Sequence, residues 1–268
     1  MKVILSRKGF DSANGGIASP ILEDGTLLSL PIPQNGGRPY NELRYGNETY
    51  QDIIEQLGGR VGGEACHLDP DIRQGIFQAP DNWRPAFGQE NAALSHLNNQ
   101  EVGVGDLFLF FGWFRQTERI GDNLRYVPNA PDLHIIYGYL QIGEMATEMA
   151  DIREYHWHPH ANNGHNNNGL YIPRDTLSWD ASKSGHGVFS HNENLLLTKE
   201  GMSRRCWRLP DIPAFQSNPR PNISYSRADS WVTSTEHGDY FRAPDRGQEL
   251  VMEETAAVEE WAKSLITG

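Results

Sequence analysis

Two long apolar runs in the middle of the chain constrain its fold more than any other feature of the sequence. They are residues 107–114 (LFLFFGWF) and residues 134–142 (HIIYGYLQI), with a polar segment, 115–129, between them. Runs of this length that are rich in aromatic and β-branched residues are typical of buried strands. The polar connection is long enough to turn the chain around. We therefore predict an antiparallel pair of strands that faces a core.

Shorter patterns of apolar residues and turn signals predict the other elements. The predicted strands are at 2–5, on both sides of an Asp-Gly turn within 21–31, at 190–198 and at 204–209; the predicted helices are at 50–57, 89–97 and 247–266, the last one amphipathic. No repeat and no linker divides the chain. We expect one α+β domain over residues 1–268, with a mixed or antiparallel β-rich core, a few short helices and a C-terminal amphipathic helix.

Charge and cysteine content exclude several functional classes. The 268 residues carry a net charge of −12, and binding to long nucleic acid without regard to sequence requires a surplus of Lys and Arg. A local basic pocket for one nucleotide remains compatible with this charge. Only two cysteines are present, so we expect no disulfide framework and a reducing, cytoplasmic environment. No apolar run approaches the length of a membrane span, so no membrane partner is expected.

The first predicted strand is followed by a polar loop at residues 6–16 (SRKGFDSANGG). Glycines in such a loop let backbone amides approach a ligand closely. Arg7 and Lys8 are candidates to hold a phosphate or a developing negative charge, and Asp11 is a candidate base or ligand. The predicted substrate-binding residues of the loop are Ser6, Asn14, Gly15 and Gly16. The same composition also fits a polar turn that only redirects the chain.

Residues 154–160 (EYHWHPH) place a carboxylate and three histidines at alternate positions. In an extended backbone these four side chains would project from one face. Imidazole suits Zn, Fe and Mn, and a catalytic metal site needs three protein ligands and an open position. The predicted ligands of a divalent metal (Zn, Fe or Mn) in this segment are His156, His158 and His160. In the alternative interpretation, the histidines stack on the neighbouring tryptophan or lie in a solvated loop.

Two further clusters carry weaker signals. His67, Asp69 and Asp71 alternate in the segment CHLDPDI, where they can supply an acid/base pair or more metal ligands. From this cluster we take His67 as a fourth metal candidate and Asp69 as a catalytic candidate; a polar loop is the alternative. Arg204 and Arg205 can bind a phosphate bidentately, or they can pair with carboxylates of the protein itself.

Six segments, spread over nearly the full length, carry a family resemblance. They are SRKGFDSANGGIASPI at 6–21, CHLDPDI at 66–72, GDLFLFFGWFR at 105–115, YGYLQIGE at 137–144, HPH at 158–160 and GQELV at 247–251. Together they make the chain similar to the third class of nucleotide-modification-associated domains, a family of bacterial and phage proteins. The resemblance implies association with modified nucleobases or nucleotides. Residues 105–144 also resemble the barrels of the PUA/ASCH group, which implies binding of RNA, nucleotides or modified bases.

Two hypotheses of function follow from these patterns. In the first, the protein is an enzyme that modifies or processes nucleotides or nucleic-acid bases, and the polar loop and both histidine segments close one pocket around a divalent metal. In the second, it is a non-catalytic reader of a modified base, with a PUA-like centre and Trp113 or Tyr139 as an aromatic platform. A metal-storing protein is favoured least, because the sequence has no dense ligand motif.

Overall fold

Strands outnumber helices in this α+β chain. The computed structural model describes residues 1–61, 65–162, 164, 166–245 and 247–268. The strands of these residues are β1 Val3–Arg7, β2 Ser19–Ile21, β3 Ile32–Pro39, β4 Arg44–Tyr45, β5 Glu48–Thr49, β6 Ala65–His67, β7 Phe87–Glu90, β8 Leu107–Ile120, β9 Asn123–Tyr126, β10 Leu133–Ala146, β11 Asn168–Pro173, β12 His186–Val188, β13 Cys206–Trp207, β14 Trp231–Val232, β15 Tyr240–Arg242 and β16 Glu249–Val251. The α-helices are α1 Tyr50–Gln56, α2 Asn91–Asn99, α3 Met149–Ile152 and α4 Ala256–Thr267. The predicted α+β class, with its β-rich core and C-terminal helix, is confirmed.

The predicted central pair is present as β8 and β10, which run antiparallel. Leu133 lies opposite Phe114 and Gln141 lies opposite Leu107, with an irregularity between Ile136 and Gly138. Both strands are longer than predicted. The polar segment 115–129 is not only a connection, because β8 continues into it and β9 folds back onto β8. Most side chains of β8 within this segment are half-buried or exposed, and those of β9 alternate between exposed and more buried, so these strands were interpreted as a loop.

The central pair belongs to a nine-stranded mixed sheet that curls into a half-barrel. Its main order is β16-β1-β8-β10-β11-β7, with β2 and β9 on β8 and β12 on β10. β1 is parallel to β8 and antiparallel to β16. Because β1 has a neighbour on each side, the polar loop that follows Arg7 leaves from the interior of the sheet rather than from its edge.

Three of the shorter predictions need correction. Residues 247–266 are not one helix, because β16 pairs with β1 before α4 begins after its N-cap Thr255. Residues 190–198 form isolated bridges around a 3₁₀ turn at Glu193–Leu195 instead of a strand. Only β13 is strand within 204–209. In each case the backbone partners are distant in sequence, and they decided the local geometry.

The two short helices lie close to where they were predicted. α1 begins after Thr49, whose side chain accepts a hydrogen bond from the backbone of Asp52 while the Asp52 carboxylate accepts one in return from Thr49. α2 extends two residues beyond its predicted end at Leu97. None of the helices in the described part of the chain has the length and apolar character needed to cross a bilayer.

Candidate functional site

The polar loop and both histidine segments line one cavity of about 160 Å³. The loop enters it directly from β1, one histidine ends β6, and another lies on a 3₁₀ turn at Pro159–Asn162. The candidate residues that line this cavity, which we call the histidine cavity, are Arg7, Lys8, Asp11, His67, Asp69 and His160. Residues that are far apart in sequence therefore meet in one place, as the enzyme hypothesis requires.

His67, Asp69 and His160 have the spacing of a metal centre. One ligand atom from each lies within 4.8 Å of the others. The two imidazole Nε2 atoms are 3.2 Å apart, and Asp69 Oδ2 is 3.8 Å from the first and 4.0 Å from the second. Donors of a tetrahedral zinc ion lie about 3.3 Å apart, given Zn–N distances of about 2.0 Å. The three groups are therefore close to the positions of ligands around one ion.

Amide oxygens fix the orientation of both histidine rings. Nδ1 of His160 donates to Oδ1 of Asn168 at 2.7 Å, and Nδ1 of His67 donates to Oε1 of Gln34. Because a carbonyl oxygen can only accept, a neutral ring in this arrangement carries its proton on Nδ1 and its lone pair on Nε2. Burial lowers the pKa of His160 to about 4, so that ring is neutral at pH 7. Such outer partners are characteristic of metal-bound histidines.

Asp69 is buried, and its two oxygens face different neighbours. Oδ1 accepts the backbone amide of Gly88 at 2.7 Å and lies 3.3 Å from His158 Nε2, which is not in hydrogen-bond geometry. Oδ2 faces the two Nε2 atoms of the cluster. Burial alone would raise the pKa of the Asp69 carboxyl, but His158, His67 and Lys8 outweigh it and hold that pKa well below its usual range. Asp69 is thus a carboxylate, the form that a metal requires.

A glycine makes room for the His160 ring. A Cβ on Gly88 would lie 2.3 Å from that ring, so residue 88 in β7 has to be glycine for the ring to reach Asp69. Nothing in the sequence around Gly88 marked it as part of a site.

The prediction of an extended backbone at 154–160 is wrong. The segment forms 3₁₀ turns, with the amide of His158 donating to the carbonyl of Tyr155 at 2.7 Å. Because the chain coils, the three histidines separate. His160 joins the cluster, His158 lies behind Asp69, and His156 lies against Trp157 with ring centroids 5.1 Å apart. His156, which was predicted as a ligand, lines a neighbouring cavity of about 520 Å³ instead.

Lys8 is paired with a buried carboxylate that sequence reasoning missed. Its Nζ lies 3.1 Å from Oε1 of Glu249, which is 1 % exposed, and 4.4 Å from the centre of the Phe87 ring. Gln89 Nε2 donates to the same Glu249 oxygen. The only local signal for Glu249 was one acidic residue within the strand-like run GQELV.

Asp11 organises its own loop. Its Oδ1 accepts hydrogen bonds from the amides of Ala13 and Asn14, each at 2.7 Å, and the Asn14 side chain contacts both carboxylate oxygens. The carboxylate still lines the histidine cavity. Three of these contacts are to Oδ1, and Oδ2 has only the Asn14 side chain at 3.3 Å, so Asp11 positions the loop while its role as a base stays a prediction.

Four predicted substrate-binding residues are not among the described residues that line either this cavity or the larger one below; they are Ser6, Asn14, Gly15 and Gly16. Ser6 is fully buried in β1 between its neighbouring strands. Gly15 has a φ of 85°, and the Phe10 ring occupies the space of its missing Cβ at 2.3 Å. The loop glycines therefore allow a tight turn over an aromatic ring, which is the alternative that the composition also fitted.

A larger cavity of about 390 Å³, which we call the arginine cavity, shares Arg7 and Asp11 with the histidine cavity. Arg204 and Arg205, the predicted substrate-binding residues of a basic pocket, line it together with Trp113. The Arg204 guanidinium lies 4.1 Å from the centre of the Trp113 ring. The basic cluster and the polar loop, nearly 200 residues apart in sequence, thus form one wall.

Arg204 also links the residues of this wall through its side-chain contacts. Its Nη2 donates to Oγ of Ser12 at 2.6 Å, and its Nη1 lies 3.7 Å from Oδ2 of Asp132. The other oxygen of Asp132 accepts the indole N–H of Trp113 at 2.8 Å. Arg205 pairs with Asp245 at 2.5 Å in a largely exposed contact. Pairing with carboxylates, the second alternative for these arginines, is therefore observed, while phosphate binding stays a prediction.

His134 is a buried residue of the arginine cavity that the sequence did not single out. Its Nδ1 accepts the indole N–H of Trp207 at 3.0 Å. Burial, reinforced by Arg204, Arg7 and Arg205, lowers the pKa of His134 to about 3. The ring is therefore neutral, with its proton on Nε2, because Nδ1 is the acceptor.

A family model described as nucleotide modification associated domain 3 matches residues 2–253. No curated protein and no solved structure matches the chain. The matched range includes every candidate residue of both cavities.

Proposed function

Because the chain belongs to the nucleotide modification associated domain 3 family, we propose that it is an enzyme that modifies or processes nucleotides or nucleic-acid bases with the help of a divalent metal ion. The family supplies the class of substrate. The histidine cavity supplies the candidate chemistry, with His67, Asp69 and His160 as ligands of Zn, Fe or Mn.

One observation carries the metal proposal. The Nε2 atoms of His67 and His160 face each other at 3.2 Å, while both Nδ1 atoms are directed at amide oxygens. When both rings are neutral, the lone pairs of the two Nε2 atoms therefore face each other next to the carboxylate of Asp69. A shared cation satisfies all three groups at once. Two histidines and one carboxylate also leave positions open for water or substrate, as in catalytic zinc and non-haem iron sites.

The chemistry proposed here is metal-assisted. A metal ion in such a site polarises a substrate oxygen or lowers the pKa of a bound water. Arg7 and Lys8 line the same cavity and add positive charge where a phosphate or an oxyanion would lie. Lys8 acts with its charge partly balanced by Glu249, so Arg7 is the stronger candidate for binding an anion.

The metal proposal is tested by elemental analysis of purified protein after reconstitution with Zn, Fe or Mn. We expect near-stoichiometric metal in the native protein and its loss in a His67→Ala/His160→Ala double variant. His156→Ala is the matched control, because it removes a histidine of the same segment that lies outside the cluster. Absence of metal from reconstituted native protein, or full retention in a double variant whose circular dichroism is native, would refute the proposed site.

Catalysis is tested separately. Metal-loaded protein is incubated with nucleotides and short oligonucleotides, and the products are analysed by mass spectrometry. We expect product formation that disappears on chelation and in the double variant. Turnover that persists without metal would refute metal assistance.

The second candidate function is a non-catalytic reader of a modified base. The observation in its favour is Trp113, which lines a cavity of about 390 Å³. Tyr139, the other aromatic residue considered for this role, is 8 % exposed and packs against Phe189. A reader would show saturable binding that does not depend on metal and no product with any substrate. The resemblance of the central strands to PUA barrels is part of this second proposal.

We also propose that the chain forms a single domain that acts in the cytoplasm and does not coat long nucleic acid. Pairing of β1 with β16 joins the two ends of the described chain, which supports one folding unit. Cys66 and Cys206 are both unpaired, which fits a reducing compartment. The net charge of −12 opposes contact with many phosphates.

A further inference from the structure

The geometry points to a nucleoside 5′-monophosphate as the substrate, bound with its base in the arginine cavity and its phosphate at Arg7, next to the histidine cavity. This inference rests on the proposed function, which it makes specific in substrate class and in orientation. It follows from the size, the lining and the shared wall of the two cavities.

The two cavities differ in what they can accommodate. The arginine cavity, at about 390 Å³, falls within the roughly 300–1,000 Å³ range of small-ligand sites, whereas the histidine cavity has about 160 Å³. Trp113 and Trp207 line the larger cavity. No Phe, Tyr or Trp is among the described residues that line the smaller one. A base and its sugar therefore fit the first, and a phosphate with a metal ion fits the second.

The platform for the base is Trp113 together with Arg204. Bases stack on aromatic rings and on the planes of arginine guanidinium groups. The Arg204 guanidinium is held 4.1 Å from the Trp113 ring by its contacts with Ser12 and Asp132. Because both groups are fixed before a ligand arrives, little side-chain entropy is lost on binding.

Arg7 is the cation that is available for the phosphate. Arg204 and Arg205 have carboxylate partners, and Lys8 has Glu249. The Arg7 guanidinium makes no hydrogen bond or ion pair with any residue that the structure describes, although its backbone amide is bonded to Gln248. Arg7 also lines both cavities. A phosphate held by Arg7 therefore lies at the boundary, with its remaining oxygens directed towards the histidine cluster.

The experiment is a calorimetric titration of the native protein with the four 2′-deoxynucleoside 5′-monophosphates, the corresponding nucleosides and inorganic phosphate. Arg7→Gln is the main variant, because the side chain has no described partner to lose. Arg119→Gln is the matched control, since Arg119 lies on β8 outside both cavities. Trp113→Ala tests the platform. Each titration is carried out with metal-loaded protein and after chelation.

We expect at least one monophosphate to bind the native protein more tightly than its nucleoside does. Arg7→Gln should weaken that binding about tenfold or more and leave nucleoside binding unchanged, because it removes one charge-assisted contact. Trp113→Ala should weaken both ligands, and Arg119→Gln neither. An unchanged affinity in Arg7→Gln, equal binding of nucleoside and monophosphate, or tighter binding of an oligonucleotide than of any monophosphate would overturn the inference.

The two proposals fail in different ways. If native protein holds no metal but binds monophosphates through Arg7, the metal site is wrong and the nucleotide orientation stands. If metal binds at the histidine cluster while monophosphates do not bind, the orientation is wrong and the metal site stands.

Discussion

His134 should make the protein less stable in mild acid, by an amount that follows from its burial. The ring is fully buried and neutral, with a pKa of about 3 in the folded state against about 6.5 when unfolded. Because the folded pKa is lowered, the unfolded state takes up the proton first. The stability contributed by the neutral ring is complete above pH 6.5 and is lost as the pH falls from 6.5 towards 3. Between pH 7 and pH 5 the loss amounts to about 2 kcal/mol.

The assay is urea-induced unfolding near pH 7 and near pH 5, on native protein and on His134→Asn. Asparagine cannot titrate, yet its oxygen can still accept the indole N–H of Trp207. Between the two pH values, the free energy of unfolding of the variant should therefore fall by about 2 kcal/mol less than that of the native protein, whatever the absolute stability of the variant. Other titrating groups, Asp69 among them, affect both proteins alike. Buffers without phosphate are required, because an anion among Arg7, Arg204 and Arg205 would raise the pKa of His134. Equal losses in the two proteins would refute the assignment of a buried neutral ring.

Three other predictions test the site and the fold. Gly88→Ala should abolish metal binding, because its Cβ would meet the His160 ring at 2.3 Å; elemental analysis that finds undiminished metal would contradict this. Glu249→Gln should lower the free energy of unfolding by about 3 kcal/mol or more, because it removes the buried carboxylate that is paired with Lys8, whereas Glu48→Gln, in a half-exposed pair, should cost about 1 kcal/mol or less. Similar losses of unfolding free energy in the two variants, measured by chemical denaturation, would contradict this prediction. A single domain should unfold with coincident transitions in tryptophan fluorescence and far-ultraviolet circular dichroism, and two separated midpoints would exclude it.

The parts of the fold that the sequence predicted correctly are those with local causes. The apolar run at 107–114 predicted a buried strand because nearly every side chain in it is apolar. The helix at 50–57 follows from its spacing and its capping residue Thr49. The polar end of β8 was missed, since a polar strand that is half-buried or exposed resembles a loop. β16 was missed because only its pairing with β1, far away in sequence, distinguishes it from the start of a helix.

In the candidate site, too, only the features with local causes could be predicted from the sequence. His67, Asp69 and His160 were recognisable by residue type, but their convergence was not, because it brings the end of β6 against a 3₁₀ turn more than 90 residues away. The backbone geometry of 154–160 could not be foreseen from alternation alone. Glu249 and Gly88 had no local signal. Their importance arises from what packs against them, which is Lys8 in one case and the His160 ring in the other.

The position of β1 between β8 and β16 has a consequence for biosynthesis. The strand is translated before both of its neighbours, since its parallel neighbour begins at residue 107 and its antiparallel neighbour at residue 249. At about 5–20 residues per second, roughly 12 to 50 seconds separate the synthesis of Lys8 from that of its partner Glu249. During that time the nascent chain presents an apolar strand followed by two unpaired cations. Ribosome-bound chains that stop before residue 249 should therefore be protease-sensitive at the polar loop and should attract chaperones there.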